Sequence, residues 1–301
     1  VNLEINWEDE RMDPTTAMYV AQMIHGLAYG MVLFLLASGL TLIFGMMGIL
    51  NLAHASFLML SAYICYSVLD ATGNFWLALI LAPLATAMIG IMIERFLLRK
   101  IRGAGHIGEL ILTVGLMMII MESVKIFWGT DTYIISVPPS LAGLVDIFGM
   151  EYPIYRIFII VLALAILCFM MIILYKTRLG MIVRAGVSDA EMVGAVGINM
   201  PLVFMVVFGV GSWLAGVAGV AIAPLLSVFP GMADQIGMEA FVIVVVGGFG
   251  SLLGAFVASI FFGLLNSFGI QFIPRLAPVL MFLCMVLVLS FKPMGLFGER
   301  E

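Results

Sequence analysis

The sequence predicts an all-α fold: a polytopic transmembrane helix bundle of about 8–10 membrane segments, with glycine-broken segments in each half. Three observations carry this. Of 301 residues, 64% are hydrophobic and only 10% are charged, against roughly 25% charged in soluble domains. Apolar runs of span length recur along the chain. Lys and Arg gather in a few of the intervals between them. A large soluble α/β domain is excluded at this step.

Runs able to cross roughly 30 Å of hydrocarbon fall at residues 17–44, 52–69, 75–98, 107–128, 154–175 and 202–226. A short run at 239–246 follows, then 252–270 and 276–291. The first is longer than one crossing needs, so it tilts or begins in the interface. The run before Gly247 is too short to span and reads as re-entrant or helped by its glycines.

Orientation follows from the basic residues. Arg95, Arg99, Lys100 and Arg102 follow the third run, Lys176, Arg178 and Arg184 the fifth, Lys292 and Arg300 the last. Nine of the 13 cations thus fall on one side if nine segments alternate. That side is expected to be cytoplasmic. The chain then divides into an acidic extracytoplasmic tail (1–16), one transmembrane domain (17–291) with a cytoplasmic loop at 176–201, and a cytoplasmic tail (292–301). The first residues are acidic where a signal peptide would be basic, so no cleavable signal is expected. Cys65, Cys168 and Cys284 are scattered through apolar runs and read as small hydrophobes, with no metal-ligand spacing.

Small residues recur four apart at Gly26 and Gly30, Ser212 and Gly216, Ala215 and Gly219, Gly250 and Gly254, the spacing of close helix packing in lipid. The 176–201 loop carries helix signals. Ser188 and Glu191 form a capping box, Asp189 and Glu191 suit a helix start, and Asp189 to Val196, including Ala190 and Val193, has helix formers, with Met192 and Val196 at i, i+4. Gly197 suits the residue after the helix, and Pro201 the start of the next. One short helix outside the bilayer is expected, either unpartnered or a docking element.

Two places break the apolar pattern: Gly45 and Gly48, and Gly247, Gly248 and Gly250. Each lies between apolar runs, one per half, as internal repeats would place them. Asn51, His54 and Ser56 follow the first. They either line a wet path or stitch the broken backbone to neighbouring helices. Glu122 and Lys125 sit i, i+3 near the outer end of the fourth run and read as an intramembrane ion pair, more structural than functional. Glu94 and Arg95 lie near the inner interface, where long side chains snorkel. His25 and His106 have no evident companions. No hydrolytic constellation is visible, and no phosphate-binding loop.

The stretch GLTLIFGMMGILNLAHASF resembles the signature G-L-x-L-I-F-G-x-x-G-x-x-N-x-A-H-G-[ED]-F of ABC importer permeases for branched-chain amino acids and related small solutes. Thr177, Arg178, Gly180, Arg184, Ala185, Gly197, Ile198 and Asn199 are similar to that family's T-R-x-G-x-x-x-R-A…G-I-N loop. VVVGGFGS and KPMGLFG resemble its later motifs. The resemblance implies a bacterial inner-membrane permease subunit, not an enzyme. Implied partners are a second homologous permease, two cytoplasmic ATP-binding subunits and an extracytoplasmic solute-binding protein, with ATP and Mg²⁺ held by the ATPases and no cofactor, metal or nucleic acid in this chain. It also implies that the 188–196 helix, with Arg184, couples to an ATPase. This chain has Ala55 and Ser56 where the family commonly has glycine and an acid, which extends the expected solutes to amides, urea or aromatic acids. The competing expectation is an ion- or proton-coupled secondary transporter or channel.

Overall fold

A computed structural model describes residues 13–101, 105–147 and 150–298. Most of the acidic tail, Arg102 and Arg300 lie outside the described residues. Twelve α-helices and one hairpin are seen among those described: α1 (Pro14–Met47), α2 (His54–Thr72), α3 (Phe75–Ile93), α4 (Arg99–Ile101), α5 (Gly105–Trp128), β1 (Leu144–Ile147), β2 (Met150–Pro153), α6 (Ile154–Lys176), α7 (Arg178–Ser188), α8 (Ala190–Ala195), α9 (Met200–Ile222), α10 (Met232–Gly247), α11 (Leu252–Phe272) and α12 (Ala277–Phe291). Seven are long and apolar enough to cross a membrane; α12 is shorter, and α10 has only 16 residues. The fold is an all-α polytopic bundle.

At 1.5 Å per residue the 34 residues of α1 extend about 51 Å, well beyond the hydrocarbon thickness. α1 and α9 are the most buried spans and form the centre; α5 and α6 are far more exposed. The small-residue pairs set the close contacts. A Cβ on Gly26 would fall 2.8 Å from Leu264 Cα, and one on Gly30 would fall 2.5 Å from the Ser259 carbonyl oxygen, so α1 and α11 touch backbone to backbone. On α9, a Cβ on Gly216 would fall 2.8 Å from Pro83 Cα. The Gly216 carbonyl also accepts a 2.8 Å hydrogen bond from Ser61 Oγ.

The packing has an approximate two-fold relation. α1 lies along α11 as α9 lies along α3; α9 contacts α2 as α1 contacts α10; α2 packs on α3 as α10 packs on α11. α1 and α9 are antiparallel, since Gly39 faces Gly211 while Met46 clusters with Met200. The α1–α2–α3 and α9–α10–α11 units are therefore an inverted repeat. This shifts the equivalence read from the glycines. The counterpart of the 48–53 break is the turn at 223–231 before α10. The Gly247–Gly250 segment corresponds to the α2–α3 turn at Gly73, where Asn74 caps α3 as Ser251 caps α11. The glycines alone misled because turn and break carry them equally.

Three further expectations change. The 176–201 interval holds two helices, α7 and α8, and the cap of α8 is Asp189: its Oδ1 accepts from Met192 N at 2.9 Å, while Ser188 ends α7. A carboxylate at the helix start wins over the serine one residue earlier. Glu94 does not snorkel: its side chain is fully buried in a π-helical turn at Glu94–Leu98 and bonded to Arg99 at 3.1 Å. The β1–β2 hairpin, with Asp146 opposite Glu151, has no clear periodic signal and was not expected.

Candidate functional site

The first break folds back into the bundle. α1 ends at Gly48, which adopts φ +67°, a left-handed conformation that favours glycine, and donates to the Phe44 carbonyl. Residues 48–53 then fold back along α1. His54 Nε2 donates to the Leu36 carbonyl at 3.1 Å, 12 residues above Gly48, so α2 starts inside the bundle. Because Nε2 donates, Nδ1 is the acceptor nitrogen. Gly39 makes room: a Cβ there would fall 2.9 Å from His54 Nε2. Asn51 precedes the helix rather than sharing a helical face with His54. Its Oδ1 accepts from Ala53 N at 3.2 Å, leaving Nδ2 as its open end.

Asn51, His54 and Ser56 are all buried, and Asn51 Nδ2, His54 Nδ1 and Ser56 Oγ have no partner among the described residues. All three residues line one cavity of about 310 Å³. Its far wall comes from the first turns of α10, including Asp234 and Gly237, and Leu36, Leu40 and Met117 complete it. α2 and α10, equivalent elements of the repeat, thus bring their starts to the same space. A Cβ on Gly237 would fall 2.8 Å from the Ala55 methyl, so the two helices nearly touch there.

The second glycine cluster meets the first. A Cβ on Gly45 would lie 3.0 Å from Gly250 Cα, and the Phe44 and Phe249 rings are 4.3 Å apart. Ser38, Thr41, Gly45, Arg184, Gly250 and Ser251 line a second cavity of about 420 Å³ on another face of α1. The carbonyls of Val246 and Gly247 accept from Leu296 N at 2.8 Å and Phe297 N at 3.1 Å, so the chain's closing turn satisfies the end of α10. Gly248 sits at φ +99°, against Gly298.

Of the coupling residues expected around α8, Arg184, Ser188, Asp189, Glu191 and Gly197 are exposed, whereas two are not. Ala190 and Val193 turn inward, onto a cluster of Met46, Met200, Phe204 and Val207. Met192 and Val196 are exposed, at 64% and 76%, with Glu191 and Gly197 beside them. The Arg184 guanidinium lies over the Tyr175 ring at 5.0 Å. Glu122 and Lys125 pair at 2.6 Å. His25 has companions after all: Tyr152 Oη lies 2.8 Å from its Nδ1, which also accepts from Arg156. Burial pushes the Tyr152 phenol up, against the pull of Arg156. Glu239 and Asp234 were missed as site residues. Glu239 accepts a 2.7 Å hydrogen bond from Tyr29 Oη. Each is a single acid at the edge of an apolar run, and only the tertiary fold shows its surroundings.

A polytopic bundle with re-entrant elements from two inverted units enclosing a polar-edged cavity is the architecture of a membrane permease. Comparison with known proteins gives the family. Residues 22–289 match the family described as branched-chain amino acid transport system / permease component, and the chain belongs to that family. It is 29% identical to the high-affinity branched-chain amino acid transport system permease protein BraD of Pseudomonas aeruginosa, over 96% of this chain and 98% of the relative. It is 29% identical to the permease protein LivH of Escherichia coli K12, over 94% and 96%. It is 24% identical to a probable LivH of Methanocaldococcus jannaschii, over 90% of each. No solved structure matches.

Proposed function

We propose that this chain is the permease subunit of an ATP-driven importer that carries a small polar solute, of the branched-chain amino acid class, across a bacterial inner membrane. The family match over nearly the whole chain is the observation that carries this reading. In it, the end that gathers Arg99, α7, α8 and the closing turn faces the cytoplasm, and the N-terminus faces out. Two ATPases, which bind ATP and Mg²⁺, dock there; a second permease and an extracytoplasmic binding protein complete the importer.

The geometry supplies a route for force. Met192 and Val196 are exposed where an ATPase would dock, while Val193 on the same short helix belongs to the buried cluster that also holds Met46, two residues before Gly48. A push on α8 therefore reaches the end of α1 and the Gly45–Gly250 contact through packed side chains.

The test is to express the chain with its companion subunits and to replace Met192 and Val196 by Asp. Loss of ATPase co-purification and of uptake is expected. Unchanged co-purification and uptake would refute the docking face. A second reading, a proton-coupled secondary transporter, draws on the Tyr29–Glu239 pair as a titratable group within the bundle. Uptake that continues without ATP and follows an imposed proton gradient would favour it.

A further inference from the structure

We propose that the cavity between the starts of α2 and α10 holds the ammonium and carboxylate groups of a small aliphatic amino acid, with Asp234 facing the ammonium and Asn51 and Ser56 facing the carboxylate. The inference rests on the importer reading above and assigns the residues that would recognise its solute.

The two helix starts that line this space differ in charge. Both present the positive end of a helix dipole. α10 carries its own acid, Asp234, in the first turn. α2 carries none in its first turn. One pole of the cavity is therefore anionic, and the other is electropositive and uncompensated. The α2 pole also has open polar groups. Asn51 Nδ2, an amide nitrogen, can only donate, while its Oδ1 already accepts from Ala53 N; Ser56 Oγ donates or accepts. Both side chains are more than nine-tenths buried, and neither Asn51 Nδ2 nor Ser56 Oγ has a partner among the described residues. Leaving buried polar groups unpaired is unfavourable, and a bound solute that pairs with them offsets that cost.

Between the poles the wall is apolar, from Leu36, Leu40, Met117 and Phe241. A volume of about 310 Å³ is at the low end for small-molecule pockets, which suits a compact solute. A hydrocarbon would leave both poles unanswered. A dianion would be repelled by Asp234. A solute with ammonium and carboxylate on one carbon, and an aliphatic side chain, answers all three surfaces. Ser56 adds no charge to the α2 pole, and Asp234 supplies a carboxylate from the opposite helix.

The test is equilibrium binding of labelled L-leucine to the assembled membrane complex, without binding protein, with two competitors. 4-Methylpentanoate lacks the amine; L-leucinamide lacks the carboxylate. Wild type is expected to prefer leucine over both by about tenfold or more. Asp234→Asn should lose the preference over 4-methylpentanoate and keep that over leucinamide. Ser56→Ala should weaken only the preference over leucinamide. Asp234→Glu should retain the wild-type order, and serves if the Asn variant does not assemble. Unchanged preferences in Asp234→Asn, or loss of assembly in both Asp234 variants, would overturn the proposal. A wild-type complex that binds leucine no better than its analogues would also overturn it while leaving the importer intact. Failure of the ATPases to co-purify with wild type would instead strike the importer reading.

Discussion

Gly39 and Gly48 show how one residue type serves two different needs. Gly39 is helical and exists for closeness: a Cβ there would press on the Gly211 carbonyl and on His54 Nε2, at 2.6 and 2.9 Å. Gly48 has open space around it but adopts φ +67°. Gly39→Ala should therefore displace His54 from the Leu36 carbonyl and cost about 1–3 kcal/mol, with loss of uptake. Gly48→Ala should cost about 1–2 kcal/mol from backbone strain, and Gly48→Asn less. Thermal unfolding of the purified variants beside wild type checks both. At this scale the break was legible, because Asn51, His54 and Ser56 are conspicuous in so apolar a stretch. Their surroundings were not. Asp234 is 178 positions beyond Ser56 in the sequence, and Tyr29 is 210 from Glu239; no local pattern links such pairs.

Among the elements, α8 and the closing turn carry the sharpest expectations. α8 has six residues, too few to hold a helix by propensity alone, so it depends on its cap and on Val193. Val193→Ala should lower stability by about 1–2 kcal/mol and weaken coupling, whereas Met192→Ala should leave stability within about 0.5 kcal/mol. Asp189→Ala, which removes the cap, should cost about 1 kcal/mol, and Ser188→Ala much less. Melting curves of the three-way comparison test the cap assignment. At the other end of the chain, Leu296 and Phe297 close off the last carbonyls of α10. Truncation after Lys292 should expose those carbonyls and lower both melting temperature and uptake. Helix existence and order were legible from run length. The α7–α8 division was not, since Ser188 and Asp189 are both good caps and only the backbone, extended at Asp189, decides between them. Hairpin β1–β2 escaped because it is short and its strands do not alternate.

Across the whole molecule, the inverted repeat sets how the breaks meet. α1 and α9 cross at the centre, each followed by a break, so α2 and α10 start in the same cavity and the Gly45 and Gly250 backbones touch. The bundle and its basic end could be read from composition and cation placement. The two-fold relation could not, because it lies in which helix packs on which. In the importer proposed above, the push from α8 onto the Gly45–Gly250 contact is expected to open and close the adjacent Phe44–Phe249 pair and so to gate passage, which is the central claim. Its most direct test is a short bifunctional cross-linker across Phe44→Cys and Phe249→Cys, in a chain with Cys65, Cys168 and Cys284 replaced, with leucine uptake measured in the assembled importer. The account predicts that cross-linking stops uptake, that a cleavable linker restores it on reduction, and that either single cysteine variant is unaffected. Full uptake through a quantitatively cross-linked complex would contradict it.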